Sequence, residues 1–442
     1  MRDVLIIGGG FAGLAAGVAL SEAGHRVHLL EQKPYLGGRA RSFREPQTGS
    51  VVDNGQHLIM GCYHSTLHFL KTIGTLDRIW FQPRLTIRFV NPDGRQTTLE
   101  CPNLPSPWHV LVGVIRSRSF SARQKREVLR MGLALRKSGA EADPGPMTVS
   151  EWLSHLGQSR GLQQNFWDLL CIAALNEDPA IASAALFSHV LRLALFSSPE
   201  DSRLGFPQVG LSDCFTEAAA AFIRSKGGKV ECDRSVRSLM VADGHCRGVR
   251  LTDGAEIEAH ATVSAAPWIQ FASLLPQDLL RSEPYFGRLL ALRPAPILSV
   301  NLWFDRPICQ IDFAALRGTT IQWLFNKTRI LRSAENHVSL VLSGAHKYVA
   351  WSKEDLAGTA VRELKALFPA ARDAKLEHSL VIKERFATFS PTCDAESLRP
   401  PCATPLEGLF LAGDWTATGL PATIEGAVRS GYAAAKEIIR RL

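Results

Sequence analysis

The N-terminal segment constrains the fold more than any other part of the chain. Residues 3–32 read DVLIIGGGFAGLAAGVALSEAGHRVHLLEQ. A short apolar run leads into Gly8-x-Gly10-x-x-Gly13, which opens an Ala/Leu-rich segment. A second apolar run follows and ends at Glu31. This order predicts a strand, a tight turn, a helix and a second strand, which together are typical of a parallel βαβ unit that binds a dinucleotide.

Each glycine of the motif has a separate physical role. Gly8 permits the tight turn, Gly10 lets the backbone approach a pyrophosphate, and Gly13 lets the helix pack closely on the strand. The helix N-terminus directs the amides of Phe11 and Ala12 and a partial positive charge toward the phosphates. We therefore expect these residues to form the phosphate end of a dinucleotide site.

The residues after the second strand extend this site. Glu31 is expected to accept hydrogen bonds from the adenosine ribose, with Gln32 beside it, and an acid here disfavours a 2′-phosphate. Residues 34–43 read PYLGGRARSF. In this stretch Gly38 and Arg39 are set to bring backbone amides and a guanidinium to the same pyrophosphate.

The C-terminal segment distinguishes FAD from NAD. Residues 408–442 contain an apolar run that delivers Gly413 and Asp414, followed by a helix that opens near Ile424. A second helix N-terminus can stabilise the electron-rich pyrimidine edge of a reduced flavin. The predicted cofactor is therefore FAD, and no second nucleotide motif indicates how it is reduced, so the electron donor stays unknown.

Bulk composition excludes several other classes of protein. The chain has 442 residues, more than a single core usually holds. The nine cysteines are scattered and never form Cys-x-x-Cys, which argues against a zinc ribbon, an iron–sulfur cluster or a disulfide framework. This pattern favours a protein of a reducing compartment. The net charge is +8, but the sequence has no basic motif interleaved with aromatic residues, so it does not indicate nucleic-acid binding. Residues 4–20 are apolar like a signal peptide, but the glycine spacing explains them better.

Together these motifs resemble the flavin-containing amine oxidase and carotenoid desaturase superfamily from end to end. The stretch 227–268 also matches, with Val236 at the position where such proteins contact adenine through the backbone. Three stretches, 53–74, 166–191 and 210–215, are similar to the squalene-associated FAD-dependent desaturases, now understood as hydroxysqualene dehydroxylases.

The resemblance implies an α/β fold in which a Rossmann-like FAD-binding domain is interleaved with an α+β substrate domain. The expected FAD-binding domain comprises residues 1–75, 200–268 and 388–442. The expected substrate-binding domain comprises residues 76–199, with a helical insertion, and residues 269–387.

Residues 51–64, VVDNGQHLIMGCYH, admit two interpretations. The spacing of their His, Cys and Asp residues invites a zinc site, but the resemblance implies a loop that passes beside the flavin and lines the substrate cavity. Gly55 would then allow close approach to the ring system, and Gln56 and His57 would reach the flavin or a substrate hydroxyl. We expect no metal here. The candidate proton donors are His57 and His64.

The resemblance implies reductive dehydroxylation of hydroxysqualene in squalene or hopanoid biosynthesis, with a long apolar isoprenoid as substrate. Glu177 and Asp178 are weaker candidates for the acid that this reaction needs. A carotenoid-type desaturase, which oxidises an isoprenoid chain, is the nearest alternative. A non-catalytic prenyl-lipid-binding protein of the same fold is a second alternative.

A basic run leaves the relation to membranes open. Residues 116–137 hold eight Lys or Arg and one acidic residue, directly after the apolar stretch 108–115. The run is either a solvated helix face or a patch for an anionic membrane surface. We expect a cytoplasmic protein, and the second interpretation adds peripheral attachment to the inner face of the cell membrane.

Overall fold

The computed structural model describes residues 2–136 and 143–442. Its strands are β1 (Asp3–Ile7), β2 (Arg26–Leu30), β3 (Ser42–Arg44), β4 (Val51–Asp53), β5 (Ile59–Met60), β6 (Ile79–Phe81), β7 (Thr86–Val90), β8 (Gln96–Glu100), β9 (Leu204–Pro207), β10 (Lys229–Glu231), β11 (Val236–Ala242), β12 (His245–Leu251), β13 (Glu256–Glu258), β14 (Ala261–Ser264), β15 (Pro294–Phe304), β16 (Phe313–Leu316), β17 (Trp323–Asn326), β18 (Asn336–Leu342), β19 (Leu376–Phe389) and β20 (Leu409–Leu411). Its helices are α1 (Phe11–Glu22), α2 (His64–Thr72), α3 (Trp108–Arg116), α4 (Ala122–Arg136), α5 (Val149–His155), α6 (Arg160–Leu162), α7 (Asp168–Leu175), α8 (Ala184–Leu195), α9 (Leu211–Ser225), α10 (Trp268–Leu274), α11 (Gln277–Ser282), α12 (Pro284–Gly287), α13 (Lys327–Leu331), α14 (Lys353–Leu367), α15 (Ala395–Leu398) and α16 (Ile424–Arg441).

A five-stranded parallel sheet carries the N-terminal motif. Its order is β10-β2-β1-β14-β20, so its strands come from three separated parts of the chain. One face packs on α1, α9 and α16, and the other on the antiparallel sheet β11-β12-β13 and α10. This arrangement confirms the predicted α/β class with a Rossmann-like unit. Because parallel strands end at one edge, the loops after β1, β2, β14 and β20 meet there.

A second sheet, with seven strands in the order β19-β15-β18-β17-β16-β7-β8, stands beside the first. One of its faces packs on α14. The other packs on α7 and α8 through a cluster rich in aromatic residues. The sequence predicts strands within 84–101, 297–304 and 337–344 and a helix over 354–367, and the structure confirms these as β7 with β8, β15, β18 and α14.

The segment between β4 and β5 contacts the seven-stranded sheet through Asn54. Asn54 donates its backbone N–H to Arg41 O at 2.7 Å, and its side chain donates to Glu384 Oε2 on β19 at 3.1 Å. β4 itself pairs with β3 in a two-stranded antiparallel sheet, so Asn54 fastens the end of that sheet to the seven-stranded sheet.

The basic run forms the surface helices α3 and α4. Trp108, Ile115 and Leu133 are exposed large apolar side chains on these helices. Lys137, the last residue of the run, lies outside the described residues. In the described part of the chain, no helix combines the length and the apolarity that crossing a bilayer requires.

Candidate functional site

The glycine-rich turn has the conformation that its sequence predicts. Gly8 adopts φ +104°, a region that favours glycine, and its N–H donates to Leu30 O at 2.8 Å. A Cβ at Gly13 would collide with Gly8 O, so α1 packs directly on the turn. The turn therefore directs α1 toward the edge where the parallel strands end.

Gly10 borders an open cradle. A Cβ at this position would have only Gly37 O and Gly38 Cα as neighbours among the described residues, each at 3.9 Å. Gly10 is also the N-cap of α1, which has no side-chain cap and no acidic residue in its first turn. Free N–H groups and an uncompensated positive helix end suit an anion. The residues present therefore fit a pyrophosphate.

The side chains next to this cradle are apolar or small. Phe11 is buried and its ring stacks on Phe215 with centroids 3.7 Å apart, while Ala12 is buried against the parallel sheet. Neither side chain blocks the helix end. Their predicted contribution through backbone amides remains a prediction.

Glu31 holds the glycine-rich turn in place. Its buried carboxylate accepts hydrogen bonds from Gly9 N at 2.8 Å and from Lys33 N at 2.9 Å. These contacts with the turn are additional to the predicted ribose contact, for which the carboxylate keeps lone pairs. Gln32 is exposed, and its side chain donates to Gln270 Oε1 at 3.4 Å.

The predicted adenine contact begins β11. Val236 is half-buried and pairs with Leu251. Two residues earlier, Arg234 N donates to Glu31 O at 2.9 Å. The start of β11 therefore lies beside the end of β2, where the ribose acceptor is predicted.

Arg39 joins three parts of the chain. Its Nη2 donates to Asp414 Oδ1 at 2.6 Å and its Nη1 to Ala387 O at 2.5 Å. Burial alone lowers the pKa of the guanidinium, but the Asp414 carboxylate outweighs it and raises the net pKa. Arg39 is paired with Asp414 in this structure, beside Gly38, and its predicted contact with a pyrophosphate remains a prediction.

The loop after β20 is held by a buried arginine that the sequence analysis missed. Arg399 donates to Asp414 O at 3.0 Å, to Thr418 Oγ1 at 2.8 Å, and also to Thr416 O. Gly413 N donates to Ser430 Oγ at 2.7 Å. No motif marks Arg399, because two of its partners are backbone carbonyls, which any residue type can supply.

Ile424 begins α16 as predicted, at the edge that also carries Gly413. Thr423 caps the helix by accepting from Gly426 N at 3.1 Å. The carboxylate of Glu425 points elsewhere, accepting from Thr66 N at 2.8 Å at the start of α2. The helix therefore presents its N-terminus to the site without an acidic side chain occupying it.

A buried ion pair anchors the segment 53–57. Lys327 Nζ donates to Asp53 Oδ2 at 2.7 Å and to Gln56 Oε1 at 2.9 Å. The Lys327 and Asp53 side chains are only 2% and 6% exposed. Asp53 also accepts from Ser42 Oγ at 2.6 Å and from Leu211 N at 3.0 Å. Burial by itself raises the pKa of Asp53, but Lys327 and these donors outweigh it and hold the pKa below its ordinary value.

His57 lies directly after this anchor and is half-buried. Its Nδ1–H donates to Gly55 O at 2.6 Å, and Nε2 has no hydrogen-bond partner in the described structure. Burial lowers the pKa of His57, helped by the nearby positive charges of Arg39 and Lys327, and Asp53 opposes this only in part. An imidazolium at this position is therefore a stronger acid than an ordinary histidine.

The other acid candidates lie in different surroundings. His64 begins α2, with a side chain that is 72% exposed and Nε2 2.7 Å from Asp201 Oδ1. Glu177 is fully buried and accepts from Ser390 Oγ at 2.5 Å, with His346 Nε2 at 3.0 Å. Asp178 is exposed and accepts from Ala180 N. The contacts of Glu177 fasten the helical insertion to the seven-stranded sheet.

No group of three or more His, Cys, Asp or Glu side chains that could hold a metal ion occurs within residues 2–136 and 143–442. In particular, Asp53 and His57 are occupied by Lys327 and Gly55 O, as described above.

Sequence comparison finds relatives that match nearly the whole chain. A family model described as flavin containing amine oxidoreductase matches residues 11–439. A hydroxysqualene dehydroxylase of Rhodopseudomonas palustris is 30% identical, over 99% of this chain and 98% of its own length. Another, of Zymomonas mobilis, is 29% identical over 97% of each chain. A 15-cis-phytoene desaturase of Arabidopsis thaliana is 26% identical, over 99% of this chain and 80% of its own length.

Solved structures share the fold at lower identity. An oxidoreductase of Methanosarcina mazei superposes with a TM-score of 0.77 at 17% identity, covering 98% of this chain and all of its own. A redesigned putrescine oxidase gives a TM-score of 0.75 at 17% identity, covering 100% of this chain and 99% of its own.

Proposed function

The chain belongs to the family of flavin-containing amine oxidoreductases, and from this premise we propose that it removes the hydroxyl group of hydroxysqualene. It is an FAD-dependent oxidoreductase. The observation that carries the proposed substrate is the full-length similarity to two hydroxysqualene dehydroxylases, at 29% and 30% identity.

The reaction is a reductive removal of an allylic hydroxyl. The C–O bond breaks, the oxygen takes a proton and leaves as water, and the allylic carbon takes a hydride. When bound, reduced FAD supplies that hydride and becomes oxidised. The protein must therefore provide a proton at the oxygen and exclude water, which would otherwise recapture the allylic cation.

His57 is the proton donor that the site geometry favours. Its Nδ1 is held by Gly55 O, which leaves Nε2 to face a substrate oxygen. The lowered pKa makes its protonated form a strong donor. His64 is supported less, because its side chain is exposed to water and paired with Asp201.

We propose that one domain binds FAD and the other binds the substrate, with the boundaries that the sequence predicts. The parallel sheet, within residues 1–75, 200–268 and 388–442, would hold FAD. The seven-stranded sheet, together with the helices that lie within residues 76–199 and 269–387, would hold the isoprenoid. Support comes from the aromatic cluster on the sheet face that meets α7 and α8.

A phytoene-type desaturase is the second candidate, favoured by the 26% identity over 99% of the chain to the Arabidopsis enzyme. Product analysis separates the two. Anaerobic protein with photoreduced FAD and hydroxysqualene should yield squalene, identified by mass spectrometry of the extract. Oxidised protein that instead converts phytoene to a more unsaturated product, while reduced protein leaves hydroxysqualene intact, would reverse the assignment.

We also propose peripheral attachment to an anionic membrane surface. Trp108 and Ile115 are exposed on α3, and the exposed Arg118 and Arg126 lie nearby in the chain. Apolar side chains flanked by basic ones suit the boundary between headgroups and acyl chains. An isoprenoid substrate with almost no aqueous solubility would be delivered from such a surface.

A further inference from the structure

Ser299 is a buried hydroxyl without a partner. It lies in β15, between Val341 of β18 and Ile382 of β19, and is 2% exposed. Its Oγ has no hydrogen-bond partner in the part of the chain that the structure describes. Buried hydroxyls are nearly always satisfied, because an unmade hydrogen bond costs free energy. The hydroxyl is therefore free to bond a group that is not part of the protein.

The Ser299 hydroxyl and His57 both lie close to Gly55. A Cβ built on Gly55 would lie 3.6 Å from His57 Cε1 and 4.0 Å from Ser299 Oγ. Within the described residues it would have no other neighbour inside 4 Å, apart from Gly55 and the residues next to it in the chain. The imidazole and the serine hydroxyl therefore both lie next to the unsubstituted Cα of Gly55.

The surroundings of Ser299 on the sheet are apolar. Paired residues on neighbouring strands point to the same face. The register Ser299↔Val341↔Trp323 therefore places the serine in one row with two apolar side chains. Val341 and Trp323 belong to the aromatic cluster that meets α7 and α8. Ser299 is therefore a polar residue at the edge of an apolar sheet face.

We propose that Ser299 binds the hydroxyl oxygen of the substrate and holds it beside Gly55, within reach of His57. This inference rests on the proposed function and adds a residue that determines specificity. Ser299 would distinguish a hydroxylated C30 isoprenoid from the corresponding hydrocarbon, and so favour substrate over product. Its hydroxyl can donate to the substrate oxygen or accept from it.

Binding to the holoprotein with oxidised FAD tests the inference without turnover, because no hydride is available. Hydroxysqualene and squalene are titrated in detergent micelles, and Kd is read from the flavin absorbance. Wild type should prefer hydroxysqualene. Ser299→Ala should reduce that preference roughly 2- to 10-fold, the effect of one net hydrogen bond, while the Kd for squalene stays the same.

Ser202→Ala is the matched control, because this buried serine donates to Pro199 O at 2.7 Å, outside the segments proposed to hold the isoprenoid, and should leave both constants unchanged. If Ser299→Ala fails to fold, Ser299→Cys keeps a similar volume with a weak donor and should show the same loss of preference.

Two results are distinguishable failures. Wild type that prefers hydroxysqualene and turns it over, with Ser299→Ala equally selective, overturns the role of Ser299 alone and leaves a bound water as its partner. Wild type that neither prefers nor converts hydroxysqualene overturns the proposed function and this inference with it.

Discussion

Replacing Lys327 with methionine should strongly destabilise the protein. Lys327→Met keeps most of the side-chain volume but removes the charge that faces Asp53, and both groups are almost fully buried. Removing one member of a buried ion pair typically costs about 3–5 kcal/mol, because the other charge is left uncompensated. Asp53 keeps the donors Ser42 and Leu211, so we expect the lower end, about 3 kcal/mol.

The pH dependence identifies the cause of the loss. In the wild type, the folded pKa of Asp53 lies below its unfolded value of about 3.9, so the pair stabilises fully above that pH and its contribution is lost as the pH falls through the folded pKa. In Lys327→Met, burial raises the pKa of Asp53 with less opposition, and the carboxylate takes up a proton at a higher pH. The difference in stability between the two proteins should therefore shrink from pH 7.5 to pH 5.

Urea unfolding of wild type and Lys327→Met at both pH values provides the measurement. Arg84→Met is the control, since the Arg84–Glu100 pair is 46% and 52% exposed and its loss should cost less than about 1 kcal/mol. Asp53→Asn combined with Lys327→Met should recover part of the stability, because no buried charge remains. A loss below about 1 kcal/mol, or one that is the same at both pH values, would refute the reasoning.

Three further predictions concern the cofactor, the acid and the membrane. Gly10→Val fills the cradle over the helix end, so the purified protein should lose most of its FAD, measured as flavin absorbance per chain. His57→Ala should retain FAD but dehydroxylate about 10²–10⁴-fold more slowly. Since the acid must be protonated and its pKa is lowered, the wild-type rate should already fall as pH rises from below about 6.5. Arg118→Glu combined with Arg126→Glu should weaken sedimentation with anionic liposomes, and wild-type binding should weaken with salt.

Each of these predictions has a control in the same chain. Gly132→Val, at an open position of α4, should keep its flavin, and equal retention by Gly10→Val would contradict the phosphate assignment. His64→Ala should stay active, and a His57→Ala enzyme of wild-type rate would show that the acid lies elsewhere. Arg372→Glu, exposed outside α3 and α4, should bind liposomes normally. Binding that ignores salt and lipid charge would mark the basic run as a solvated face.

Local spacing in the sequence determined the glycine-rich turn of the parallel sheet. Gly8, Gly10 and Gly13 sit at separations that only one turn geometry between strand and helix satisfies, and the structure has that geometry. Four strands of the seven-stranded sheet, β7, β8, β15 and β18, were also predictable, because buried strands appear as short apolar runs bounded by turn residues. Glycine spacing and apolar runs involve residues that are close in the chain, so both can be recognised in the sequence.

Only the tertiary structure determines which polar groups form hydrogen bonds with the segment beside His57. Lys327 lies 274 positions from Asp53 along the chain, and no spacing rule connects a lysine after β17 with an aspartate at the end of β4. The same holds for Ser299, which is one serine among many until strand pairing turns its hydroxyl toward Gly55. Glu177 seemed available as an acid in the sequence, yet the fold buries it against Ser390. Burial and long-range pairing set the charge and reactivity of a side chain, and both arise only when distant segments pack together.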